Sequence, residues 1–145
     1  MISRRRLTGR LTVALPPDQA FHLFTPRGEE AWAPGWQPQF PDAVDDDTAP
    51  GTVFLTGARG EATIWIVTES DPGRHIAYAR VTPHARAGTV TVRLEDGGGH
   101  TDVTVTYDLT ALTDAAAAEL AEFAAGYPAF LRSWRDAIEA SLRTG

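Results

Sequence analysis

Over residues 7–15 the odd positions are Leu7, Gly9, Leu11, Val13 and Leu15, and the even ones are polar or small. A period of two predicts a half-buried strand. The stretch "LPPDQAFHLF" ends it: Pro17 suits a first helical turn, Asp18 adds negative charge near the positive helix end, and Phe21 and Phe24 recur at helical spacing. A short helix is expected there, followed by "EEAWAPGWQPQFPD", whose prolines bar regular helix and central strand. Residues 33–36 fit a type II turn, with Pro34 second and Gly35 third, where positive φ is needed. Such a turn would bring Trp32 and Trp36 together.

Beyond the acidic loop "DAVDDDTAPG", the runs "GTVFLTG" and "GEATIWIVTES" predict a hairpin joined by the turn residues "ARG" and "GE". A further strand is expected from about residue 74 to 81, stopped by Pro83. Val90, Val92 and Leu94 alternate, Gly97, Gly98 and Gly99 turn the chain, and Val103, Val105, Tyr107 and Leu109 alternate again, with threonines on the other face. From about 113 to 142, Leu120, Phe123, Tyr127, Phe130, Leu131, Trp134, Ile138 and Leu142 step by three or four and predict one apolar helix face, with Thr113 as N-cap. Gly126 and Pro128 predict a kink or short break in it.

A chain of 145 residues, 43% hydrophobic and 22% charged, fits one globular domain, residues 1–145. Its net charge of −6 argues against nucleic-acid binding, which relies on Lys and Arg at phosphates. The "SRRR" at residues 3–6 reads as a solvated strand end. With no cysteine there is no disulfide or thiolate chemistry, and the start carries no signal-peptide apolar core, so a cytoplasmic location is expected. No apolar run nears the roughly 20 residues of a membrane span, so no integral membrane association is expected.

The order strand, short helix, about five antiparallel strands and long terminal helix is α+β, and it resembles the helix-grip fold of the START-like, or SRPBCC, superfamily, which includes polyketide cyclases and heat-shock ATPase activators. "LPPDQAFHLFTP", the Trp32 loop, "GTVF", "HIAYARVTP", "TVTVRLED", "TDVTVTYDL" and "SWRDAIE" carry the resemblance across nearly the whole chain. It implies a curved sheet of about six strands wrapped around the terminal helix, with a cavity between them for a hydrophobic or amphipathic small molecule. The scaffold serves transfer, sensing, cyclisation and co-chaperone roles, so it does not choose among them.

Candidate chemistry is sparse. His22, His75, His84 and His100 lack metal spacing, the Asp45–Asp47 run lacks the pattern of a calcium loop, and no serine sits in a nucleophile elbow, so no metal and no cofactor are expected. Acid–base groups are Arg93, Tyr78, Tyr107, Tyr127, His75 and Glu69. Arg93 is out of phase with Val90, Val92 and Leu94, and becomes a pocket cation only if the threonine face is concave. The candidate ligand-binding set is Trp32, Trp36, Phe54, Trp65, Tyr78, Arg93, Tyr107, Tyr127 and Phe130; for Trp65 and Trp134, on regular elements, core packing is the favoured role. The leading function is small-molecule binding. The alternatives are a cyclase or aromatase using pocket Tyr, Arg or His groups, and a co-chaperone-like interaction domain; a homodimer is compatible with each. Trp32 and Trp36 would form either an aromatic rim at the pocket mouth or a cap sealing the sheet's open end.

Overall fold

The computed structural model describes residues 3–57 and 61–144. Six strands form one antiparallel sheet: β1 Arg4–Val13, β2 Val53–Thr56, β3 Thr63–Asp71, β4 His75–Thr82, β5 Arg86–Asp96 and β6 Thr101–Ala111, in the order β1-β6-β5-β4-β3-β2. Strands β2 to β6 follow one another as a meander, and β1 closes the sheet against β6. The first strand begins three residues before the alternation used to predict it and ends at Val13. The "ARG" turn between β2 and β3 lies outside the described residues.

Period-two burial runs through the sheet. On β6 each of Thr101, Val103, Val105, Tyr107, Leu109 and Ala111 is buried, and the residues between them are half-exposed. The inner face carries the apolar side chains, and the outer face carries pairs such as Thr8 with Thr106 at 3.2 Å and Arg4 with Asp108 at 2.8 Å. One inner row crosses the sheet as Val67, Tyr78, Val90, Tyr107 and Leu7; the next is Phe54, Trp65, Arg80, Gly88, Leu109 and Arg5.

Helix α1, Pro17–Ala20, starts with Pro17 at its first positions and runs into 3-10 turns at Phe21–Phe24 and Gly28–Ala31. The terminal helical segment is two helices, α2 Asp114–Ala125 and α3 Tyr127–Thr144. Thr113 is the N-cap, its Oγ1 accepting from the Ala116 N–H at 3.0 Å. The break falls at Gly126, one residue before the Tyr127-Pro128 start of α3, because Pro128 supplies no N–H to continue the α2 ladder. Tyr127, Leu131 and Ile138 bury one stripe of α3, and this helix packs on β1 at Gly9. A side chain at Gly9 would collide with Leu131 and come within 3.3 Å of Tyr127, so the small residue sets how closely helix and sheet approach. Tyr127 donates its hydroxyl to the Val105 carbonyl at 2.7 Å, pinning the start of α3 to the sheet.

Candidate functional site

Between the sheet and α3 lies a cavity of about 290 Å³. Its sheet wall is Trp65, Tyr78, Arg80, Val90, Val92 and Tyr107, all from inner-face positions of β3 to β6. Its helix wall is Phe130, Ser133, Trp134 and Ala137, a stripe at spacings of three, four and seven, next to the one that packs on β1. The loop after α1 supplies Phe24, Glu29, Trp32, Ala33, Pro34 and Trp36. A second lobe of about 320 Å³ continues beneath α2, lined by Arg86, Leu109, Glu119, Leu120 and Phe123, and Arg80, Tyr107 and Phe130 border both lobes.

The loop wall is held by aromatic donors. Carbonyls at the end of a short helical run have no partner within the run. Here Trp32 Nε1 donates to the Leu23 carbonyl at 2.8 Å, Tyr78 Oη to that of Phe24 at 2.7 Å and Trp36 Nε1 to that of Pro26 at 2.7 Å. Gly35 has φ of 72° and the Trp36 N–H reaches the Ala33 carbonyl at 3.2 Å, the turn read from Pro34-Gly35. The two indoles nevertheless diverge. Trp32 packs on Trp134 at 5.1 Å and Phe24 at 6.0 Å, whereas Trp36 packs on Trp65 at 5.4 Å and Phe54 at 6.0 Å. The turn reverses the backbone, and the separate carbonyl partners aim the rings at the helix and the sheet. With their N–H groups engaged, the indoles present carbon faces to the cavity as fixed walls.

Three polar groups face this aromatic lining. The Arg80 guanidinium stacks 4.7 Å over the Trp65 ring, and its Nη2 donates to Thr82 Oγ1 at 3.3 Å; its Nε is buried without a partner. Burial holds its pKa below the ordinary guanidinium value, and no carboxylate pairs with it among the described residues. Glu29 stands half-buried on the loop wall, and desolvation holds its carboxyl well above the usual carboxylate range. Tyr107 is pushed upward, chiefly by burial and then by Glu29, with Arg80 acting in the opposite sense. Its hydroxyl has no hydrogen-bond partner among the described residues, unlike those of Tyr78 and Tyr127. A cation, an acid biased to its neutral form and a free phenol therefore border one apolar space, an arrangement able to orient a polar end of an otherwise apolar molecule.

Residues 4–139 match the family described as polyketide cyclase / dehydrase and lipid transport. The chain belongs to that family. A comparison with curated proteins finds no match. Among solved structures, protein MLL2253 from Mesorhizobium loti superposes with TM-score 0.70 at 17% identity, covering 94% of this chain and 98% of that one. The Zhui aromatase/cyclase from a Streptomyces species gives 0.65 at 18%, over 97% and 94%. The Aha1 dimer from Colwellia psychrerythraea gives 0.64 at 17%, over 94% and 98%. These likenesses share the α+β helix-grip fold of the START-like superfamily. No helix among the described residues is long and apolar enough to cross a membrane.

Within this cyclase/dehydrase-family fold, six of the nine candidate ligand residues meet in the cavity: Trp32, Trp36, Trp65, Tyr78, Tyr107 and Phe130. Phe54 sits one layer behind, fully buried and stacked on Trp65 at 5.8 Å with 3° between ring planes. Tyr127 is taken up by its bond to the Val105 carbonyl of β6 and its packing beside Gly9 of β1. Arg93 is exposed on the outer face, paired in register with His75, because Val90, Val92 and Leu94 are the inward positions of β5. His75 and Glu69 lie 3.6 Å apart as a pair, and neither lines the cavity. Sequence reading missed Glu29, Arg80 and Trp134 as wall residues. For Arg80 a signal existed, since Ile76, Tyr78 and Arg80 share the phase of β4. For Glu29, in an irregular turn, there was none.

Proposed function

We propose that the protein binds a hydrophobic or amphipathic small molecule between its sheet and α3. The observation that carries this reading is the aromatic-walled cavity of about 290 Å³ bordered by Arg80, Glu29 and Tyr107. A core serving only stability would close around apolar groups, because a void forfeits dispersion contacts and an unpaired buried cation costs desolvation. Family membership supports the same reading. A thermal-shift and native mass-spectrometry screen across fatty acids, polyketides and fused aromatics is expected to yield binders that quench tryptophan fluorescence; a blank across all three classes would oppose it.

A second reading, proton transfer in the manner of a cyclase or aromatase, is favoured by the free Tyr107 hydroxyl and the neutral-biased Glu29 carboxyl, which together could accept and return a proton at a carbonyl compound. Pocket histidine, the third group considered for this role, is not on these walls. Incubation with a reactive poly-β-ketone is the test. The same product distribution with wild type, Glu29→Gln and Tyr107→Phe protein removes this reading. Protein association is the third. Val53, Ile64, Ile66 and Val81 are 37–41% exposed on the outer face, a patch of the kind that pairs with another surface. Light scattering of wild type and Ile66→Glu protein tests it, an unchanged monomer mass in both arguing against a homodimer.

A further inference from the structure

The cavity's charge is lopsided. Arg80 is surrounded by Trp65, Tyr107 and Phe130, and the hydroxyl of Thr82 is its one hydrogen-bond acceptor among the described residues. A buried guanidinium is tolerated when its donors meet an anion, and Nε has none. Arg86, which lines the second lobe, pairs with Glu61 at 3.0 Å, and Arg5, whose Nε is likewise buried without a partner, stands at the β1 end of the row and lines neither lobe. Glu119, also in that lobe, is exposed and on α2. Glu29 does not neutralise Arg80, because no ion pair joins them and burial favours its uncharged form. Tyr107, whose hydroxyl has no partner among the described residues, lines both lobes together with Arg80, so a free donor and the cation share one region.

We infer that the ligand is an amphipathic monoanion, an aromatic or fatty carboxylate, whose head group sits at the junction of the lobes on Arg80 and Tyr107 while its apolar body lies among Trp32, Trp65 and Trp134. This rests on the small-molecule reading above and narrows it. The head group takes hydrogen bonds from the Nη groups of Arg80, the outer end of a guanidinium whose Nε is sealed in the wall, and from Tyr107 Oη, which has no other partner among the described residues. Charge-assisted bonds of this kind are worth more than neutral ones, and the low-dielectric wall keeps them strong. The protein's net charge of −6 repels anions at long range, so a preference for the charged head group has to come from this local site.

The test compares 2-naphthoate with its neutral isostere 2-naphthamide by isothermal titration calorimetry on the full chain, with tryptophan quenching as second readout. Naphthoate is expected to bind at least about tenfold more tightly. Arg80→Gln should remove that preference by weakening naphthoate at least about tenfold more than naphthamide, and Arg80→Lys should restore part of it. Melting curves establish that each variant is folded; if Arg80→Gln fails to fold, the wild-type comparison and Arg80→Lys with Tyr107→Phe carry the decision. Equal affinity for the two compounds, or a preference surviving in Arg80→Gln, overturns the charge assignment alone. Absence of heat and quenching with both, up to millimolar concentration, overturns the small-molecule reading with it.

Discussion

Glu29 is an acid whose buried setting resists ionisation. Its folded-state pKa lies above the unfolded value, so between the two the folded chain holds a proton that the unfolded chain has lost. Stability therefore falls as pH rises from about 4.5 through the folded value. Glu29→Gln removes this loss, and its melting temperature is expected to exceed wild type at pH 8, the difference shrinking below pH 4.5. A wild-type-like slope in the variant's stability against pH would assign the effect elsewhere. Gly9 illustrates the opposite constraint: a side chain there meets Leu131 and Tyr127. Gly9→Val is expected to cost about 1–3 kcal/mol in urea unfolding, the range for overpacking a fitted contact. The alternation of residues 7–15 placed Gly9 on the inner face, but nothing in it said that a helix would lie there.

The helical segment after Thr113 shows how much an element reveals locally. Thr113, Gly126 and Pro128 mark its cap and break in the sequence, and both occur where these residues stand. Thr113→Ala should lower stability by about 1 kcal/mol, with Thr113→Ser retaining most of it; equal stability of the three would mean that the Oγ1 bond to Ala116 is dispensable. The single apolar face expected for this segment is in fact divided. Tyr127, Leu131 and Ile138 meet the sheet, and Phe130, Trp134 and Ala137 face the cavity. Periodicity registers hydrophobic positions and does not distinguish a packed neighbour from an open space. The tryptophan loop follows the same rule, its turn legible from Pro34-Gly35, and the divergence of Trp32 and Trp36 settled by carbonyls at Leu23 and Pro26.

Across the molecule, the two indoles should part in their effects. Trp32, 7% exposed and wedged between Phe24 and Trp134, is expected to cost about 3–5 kcal/mol when cut to alanine. Trp36, half-buried at the loop edge, should cost less and weaken ligand binding more relative to its stability loss; calorimetric affinity and urea unfolding of both variants decide this. A ligand at a hundred times its Kd should raise the melting temperature of wild type by roughly 5–10 °C. The strands, the turns among the described residues, the capped and broken terminal helix and the overall helix-grip order were readable along the chain, because backbone propensity and burial periodicity act over a few residues. The concave face was not. It is chosen by pairing across distances such as the 54 residues between Phe24 and Tyr78, which turned Arg93 outward and put Arg80 and Glu29 on facing walls of one cavity. Side chains remote in sequence meet only after the sheet has curved around the helix, and the chemistry of the site resides in that meeting.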